Sequence, residues 1–243
     1  MPRMAATGYR DYVGDDAHMR VYAGYQQRYA GTVRESDKVL LEHIRAAASA
    51  GGSLLDVGCS TANLLRHLLG SGLELHGADM ASDIIAADQA DPALAGIEFH
   101  VADMLELDLG RTFDVVTVNA ALMFFTPEEL RAAIARLATA VAPGGSLIAF
   151  DFVQAFEQEL EIVETSVEFP TGLRMFIRSQ KSVRSALTDA GLVDPQFTAF
   201  EIPLSIEHSG TLTDIRTWTP APGLSFRAGL FQPWCHFSAR KPA

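Results

Sequence analysis

The sequence predicts an α/β fold built on a mostly parallel sheet, and three observations carry that prediction. Short apolar runs alternate with apolar helical patterns along most of the chain. An acid or an amide sits in or just after each of the first four runs: Asp56, Asp79, Asp103 and Asn119. The chain has 243 residues and 48% hydrophobic content, enough for one well-buried α/β domain.

The first unit sets the pattern. Ser53–Val57 reads as a buried strand, closed by an acid and Gly58. Leu64, Leu65, Leu68 and Leu69 then give a helical stripe. Gly58 lets the turn reverse sharply, and the small Ser60, Thr61 and Ala62 let a ligand lie close to the backbone. A dinucleotide site wants G-x-G-x-x-G with its pyrophosphate on a helix N-terminus. Here only Gly58 is glycine, and Asp56 would repel a phosphate but suit a cation. The stretch resembles motif I of class I S-adenosylmethionine (SAM) dependent methyltransferases, hydrophobic-Asp-x-Gly-x-Gly-x-Gly, with Ser60 and Ala62 in place of two of the three glycines. That resemblance covers roughly residues 50–155, and the C-terminal tail in outline. It implies a Rossmann-like, doubly wound, seven-stranded, mostly parallel sheet with an antiparallel terminal hairpin, and SAM as cofactor.

The first 50 residues read as a separate helical lid segment, and residues 51–243 as the SAM-binding domain. All five tyrosines lie in that first segment, and Tyr22, Tyr25 and Tyr29 share one face of a helix. They read either as an amphipathic lid over a ligand or as a packed core helix. On the lid reading Tyr22 and Tyr25 meet the acceptor and Tyr29 the cofactor. Ser36 is expected to cap the next helix, with Leu40, Leu41, Ile44 and Ala48 inward. A second strand, 73–78, ends at Asp79, and a helix follows over 81–88. Strand Ile97–Val101 leads to Asp103, and strand 113–118 to Asn119. Thr126-Pro127-Glu128-Glu129 is a capping box with proline at the first helical position. Pro143-Gly144-Gly145 should stop that helix before strand 146–152. Beyond it come a hairpin of 167–169 with 173–177, a helix over 180–190, a strand over 197–204, a turn-rich insertion and a last strand over 230–239. The segments 153–180 and 205–227 are expected to close the pocket over the acceptor.

The resemblance assigns roles residue by residue. Asp79, 21 positions after Gly58, is the strand-end acid that accepts the ribose hydroxyls. Asp103 accepts from the adenine amino group, or caps the next short helix; Met104 packs against the ring, and Met80 is counted with the cofactor-binding residues. Asn119 faces the methionine moiety or the acceptor, and Asp56 orders the glycine loop; Arg34, outside the resemblance, reads either as an ordinary surface arginine or as a group that holds the methionine carboxylate. No catalytic base is legible among His18, His208, His236, Glu207 and Asp151; His236, in a central strand, reads as structural. His43, His67, His76 and His100 fall away from the ligand-binding strand ends, and Cys59 and Cys235 give no metal pattern, so no metal is expected.

Net charge of −11 without a Lys/Arg cluster argues against nucleic acid and for a small-molecule acceptor. No apolar run reaches membrane-span length and the N-terminus lacks a signal-peptide core, so the expected location is cytoplasmic, with no membrane partner. The oligomeric state is not legible. Two other readings stand beside methyl transfer: a nicotinamide-dependent oxidoreductase, and a SAM-binding module without turnover.

Overall fold

The structure, a computed structural model, describes residues 8–14, 19, 23, 24, 26, 31–164, 172–201, 216–221, 224–228 and 233–243. Tyr22, Tyr25 and Tyr29 therefore lie outside the described residues, as do His18, Glu207 and His208.

Helices α1 (Tyr9–Val13) and α2 (Glu35–Ala47) precede β1 (Ser53–Val57). Then come α3 (Asn63–Arg66), β2 (Glu74–Asp79), α4 (Ser82–Ala90), β3 (Ile97–Val101), β4 (Phe113–Asn119), α5 (Pro127–Ala140) and β5 (Val141–Gln154). The rest of the chain supplies β6 (Leu160–Glu164), β7 (Leu173–Ser179), α6 (Gln180–Asp189), β8 (Val193–Ala199), β9 (Arg216–Ala221), β10 (Leu224–Ala228) and β11 (Trp234–Arg240). The main path of the sheet is the expected seven strands, in the order β3-β2-β1-β4-β5-β11-β8. The first five run parallel, and β11 is antiparallel to both β5 and β8. A β6–β7 hairpin adds to it through the last two residues of β5, making nine strands, while β9 and β10 form a separate two-stranded sheet.

Strand alternation sends successive side chains to opposite faces. Leu55, Val57, Val116 and Val118 face α5 and α6, meeting Ile134, Leu137, Val183 and Leu187. Leu54 and Val115 face the other way, toward Leu40 and Ile44 of α2 and Leu65 and Ile85. Because α2 belongs to this second layer, a boundary at residue 50 passes through the packed core. The strand order reverses between β1 and β4, with β2 and β3 on one side and β4 and β5 on the other, and this opens a crevice at the carboxyl ends of β1, β2 and β4.

Several expected boundaries shift. Helix α2 begins at Glu35, before Ser36; its first turn is held by the Asp37 carboxylate, which accepts the Arg34 N–H at 3.3 Å. Helix α3 lasts one turn, because His67 and Leu68 bond three residues back, to the Leu64 and Leu65 carbonyls, and tighten the coil. Pro143-Gly144-Gly145 does not precede β5 but bulges out of it: Phe113 pairs with Val141, and Val115 already pairs with Ser146. The hairpin partner of β7 is Leu160–Glu164 rather than 167–169, which lies outside the described residues. No helix of the described residues is long and apolar enough to cross a membrane.

The α5 cap forms as the sequence predicts: Glu129 N–H donates to Thr126 Oγ1 at 3.3 Å and Thr126 N–H to the Glu129 carboxylate at 2.8 Å. Thr126→Ala is expected to cost about 1 kcal/mol of stability, read by urea denaturation with an unchanged slope; an unchanged midpoint would show that proline and the acids of the first turn suffice.

Candidate functional site

The turn after β1 is locked to the end of β2. The N–H groups of Gly58 and Cys59 both donate to the Ala78 carbonyl, at 2.7 and 3.1 Å. The Ser60 N–H donates to Asp79 Oδ2 at 3.0 Å, and the Ala81 N–H to Asp79 Oδ1 at 2.9 Å. Gly58, Ser60 and Ala62 have φ of 75°, 47° and 54°. The two residues that replace glycines thus keep the left-handed backbone that glycine adopts at no cost. A Cβ at Gly58 would come within 3.3 Å of Ala121 Cβ and 3.8 Å of Met104 Cε, so the floor of the turn is closely packed.

Asp79 rather than Asp56 orders this loop. Asp56 is 2% exposed and accepts the Thr117 hydroxyl at 2.7 Å, a partner that the sequence reading missed because β1–β4 register is not local. Burial, with smaller contributions from the charges of Asp79 and Asp37, pushes its carboxyl up to about 7. Burial also raises Asp79, against the pull of its backbone N–H donors.

Asp103 does cap: its Oδ1 accepts the Leu105 N–H at 2.9 Å, opening a short turn that buries Met104. Its Oδ2 meets the Arg10 guanidinium of α1, 2.9 Å from Nε, and Arg10 also reaches Glu106 at 3.0 Å. Arg10 was not singled out from the sequence, since an arginine among tyrosines carries no local signal. Arg34 donates to Gln26 Oε1 at 3.0 Å and lies 3.4 Å from Asp37, whose other oxygen is 3.5 Å from Asn119 Nδ2. Gln26 Oε1 also accepts from Asn63 Nδ2 at 3.0 Å. Gln26 and Asn63 were likewise missed.

Three contiguous cavities follow these residues along the strand ends. One of about 80 Å³ holds Arg34, Gln26, Asp56, Gly58 and Asn119. A second, of about 230 Å³, lies between Asp79 and Asn119 under Tyr9, Val13 and Met19. A third, of about 440 Å³, runs past Met80 and Thr61 along α4. In the turn and at the start of α3, Ser60 Oγ, Thr61 Oγ1 and Asn63 Oδ1 are buried with no hydrogen-bond partner among the described residues, as expected of groups that a polar ligand satisfies. Of the expected bases, Asp151 is 3% exposed and occupied by the Leu122 and Phe152 N–H groups, both at 2.7 Å. His236 is 1% exposed and bonded to the Ser36 carbonyl at 3.0 Å, the structural role its strand position suggested.

Residues 54–145 match the family described as a methyltransferase domain. The chain is 29% identical over 135 residues to a dTDP-3-amino-3,4,6-trideoxy-alpha-D-glucopyranose N,N-dimethyltransferase of Streptomyces venezuelae, 55% of this chain and 54% of that one. It is 33% identical over 113 residues to a carboxy-S-adenosyl-L-methionine synthase of Pseudomonas aeruginosa, 42% of this chain and 46% of that one. The chain therefore spans about half the length of the curated relatives it matches. Its fold superposes on a SAM-bound amino pentose methyltransferase of Micromonospora echinaspora with a TM-score of 0.57, at 20% identity, over 91% of this chain and 97% of that one.

The buried Asp56 gives the site a pH signature. Its raised value means that its contribution is fully present below the unfolded carboxyl range and is lost as pH rises through about 7. Asp56→Asn is therefore expected to stabilise the ligand-free protein at pH 8 by about 2–4 kcal/mol and to lose that advantage near pH 4. Urea unfolding at both values checks it, and a difference independent of pH overturns it.

Proposed function

We propose that the chain, whose residues 54–145 are a class I SAM-dependent methyltransferase domain, transfers a methyl group from SAM to a small-molecule acceptor. The observation that carries the reading is the turn after β1 and the start of α3, with three orphaned polar atoms beside cavities lined by the acids Asp56 and Asp79. When bound, SAM supplies a methyl carbon already activated by its sulfonium. It carries no phosphate, so the residues need to be acids and small side chains, and these are.

Asp79 accepts the ribose hydroxyls with the lone pairs its two backbone N–H donors leave free. Asp103 accepts the adenine amino hydrogen, sharing its outer oxygen with Arg10, while Met80 and Met104 hold the ring. Arg34, steadied by Gln26 and Asp37, takes the methionine carboxylate. Asn119 and Asp56 line the amino end of the donor, and Ser60, Thr61 and Asn63 satisfy their orphaned atoms on it. The tyrosine face, with Tyr22 and Tyr25 toward the acceptor and Tyr29 toward the cofactor, belongs to the same proposal as a lid. It rests on the helical spacing alone.

The residues' task in such a displacement is alignment of the acceptor behind the methyl carbon and exclusion of water. An amine acceptor reaches that geometry with a free lone pair and needs no protein base near its nitrogen. The relative from Streptomyces venezuelae acts on an amino sugar nucleotide, which makes such molecules the first to assay. The matched span ends before β6–β7 and β9–β10, the elements proposed to set acceptor selectivity. The absence of a Lys/Arg cluster in a chain of net charge −11 supports a small acceptor over nucleic acid.

Asp79→Ala is expected to weaken SAM by about 1–3 kcal/mol, the cost of a buried diol without its acceptor, in isothermal titration. Mass spectrometry of the turnover mixture tests the reaction itself. Methyl transfer leaves S-adenosylhomocysteine and an acceptor heavier by one methylene; a modified donor without S-adenosylhomocysteine would replace this reading. Stabilisation by NAD and not by SAM would reject it outright.

A further inference from the structure

The expectation of no metal rested on sequence positions, which do not reveal strand register. In the sheet, β2 and β3 pair so that His76 lies opposite Glu98, and His100 follows two residues later on the same face. This is the face whose β4, β5 and β11 portion is covered by α5 and α6. Over β2 and β3 it carries polar side chains, Glu74 and His76 on one strand and Glu98 and His100 on the other, where a doubly covered parallel strand would be apolar.

We propose that His76 Nδ1, His100 Nε2 and the Glu98 carboxylate form a binding site for a divalent transition metal of the zinc type, outside the methyl-donor cleft. The two ring nitrogens are 3.1 Å apart, and each lies 3.7 Å from a Glu98 oxygen. A tetrahedral ion bound at about 2.0–2.1 Å holds its ligand atoms roughly 3.3–3.4 Å from one another, close to these separations. All three ligand atoms lie within 4.8 Å of one another, so small side-chain rotations complete the arrangement.

The outer groups fit as well. His76 Nε2 is 3.0 Å from Glu74 Oε1, the carboxylate–histidine contact that places the proton on Nε2 and leaves Nδ1 free to ligate. Glu74 is itself gripped by Arg111 in a two-pronged pair, at 2.7 and 2.9 Å. Arg111 lies 3.4 Å from Nε2, on the far side of the ring from the ligand atom, and its charge is met by Glu74. The Phe113 ring packs edge-on to His76 at 4.9 Å and fixes it, with His76 1% exposed. The Glu98 side chain is 66% exposed, which leaves a fourth position open to water. Two imidazoles and one carboxylate suit zinc, cobalt or nickel, and not magnesium or calcium, which prefer all-oxygen sites. Such an ion would clamp the edge strand β3 to β2, the strand that ends in Asp79.

The test uses the tag-free full chain, stripped with a chelator and dialysed. Zinc is titrated in competition with a chromophoric chelator, and cobalt is added separately to read its visible absorption. The expected result is one zinc per chain, an intense cobalt band of four-coordinate type, and a zinc-dependent rise in melting temperature. His100→Ala and Glu98→Gln should each weaken zinc at least about tenfold and abolish the cobalt band, as loss of a first ligand does. His67→Ala should do neither. Retained SAM binding and far-UV circular dichroism in His100→Ala show that its fold is intact. Absence of saturable binding of one zinc at micromolar concentration, or equal zinc affinity in His100→Ala, would overturn the site. In that case the 3.1 Å contact is a hydrogen bond between the two rings.

Discussion

The Asp79 carboxylate is the tie on which the rest of the cleft depends. It joins the Ser60 N–H of the first turn to the Ala81 N–H that opens α4, so one side chain sets the relation between the ends of β1 and β2. The Ala78 carbonyl reinforces the tie by accepting from Gly58 and Cys59. With the turn held, Ser60 and Ala62 can be kept left-handed, a conformation that costs a residue with a side chain about 1–2 kcal/mol. Strain of that size persists only where the surroundings over-determine it. Here the surroundings are Leu54, Leu64 and Leu65 below the turn, all nearly or fully buried. Ser60, with Thr61 beside it, then presents a hydroxyl to the cleft in place of the bare backbone that glycine would leave, while the Ala62 methyl packs inward.

How much of this was legible follows from the range of each interaction. The Thr126–Glu129 box spans three residues, so its sequence pattern gives both its ends, and the structure has both its bonds. The strand ends at Asp79 and Asn119 were legible because an apolar run meets a polar residue there, and strands β1 and β3 have the expected bounds. Pro143-Gly144-Gly145 was read as a stop because proline and glycine punctuate elements. Pairing with β4 on one side, and the Lys241 carbonyl that accepts from Gly144, carry the strand through it. The contacts at greatest separation were invisible. Arg10 with Asp103, Asp56 with Thr117, and His76 with His100 join residues 93, 61 and 24 positions apart; the first depends on where α1 docks, and the other two on sheet order and register. Nothing in a local window encodes these.

The N-terminal segment has two physically different parts. Helix α2 is cemented into the sheet by Leu40 and Ile44, both fully buried, and by the His236 contact to the Ser36 carbonyl. Helix α1 is attached differently: Tyr9 packs edge-on to Phe125 at 4.6 Å, and Arg10 makes an exposed ion pair with Asp103. An ion pair in solvent contributes little to stability, because water and salt screen it. It nonetheless selects a place, because Asp103 is itself fixed after β3 by the Leu105 N–H it accepts. Helix α1, whose Tyr9 and Val13 line a cavity with Asp79 and Asn119, is thus held weakly through its arginine and firmly through its aromatic ring. That is the mechanical character a segment needs if it is to open for a ligand without unfolding the sheet beneath it.

The electrostatics of the cleft complete the argument. Asp37, Asp56 and Asp79 crowd together at the strand ends, and mutual repulsion adds to burial in holding Asp56 up to about 7. Arg34 lies within ion-pair distance of Asp37 among these acids. A cationic sulfonium and an ammonium entering this space relieve the repulsion, whereas a dinucleotide's phosphates would deepen it. The same crowding that costs the empty fold stability at neutral pH therefore favours a positively charged donor over an anionic one. On the proposed methyl-transfer reading it would also favour the charged donor over the neutral thioether left after transfer, so that the acids would promote release of the spent cofactor as well as capture of the fresh one.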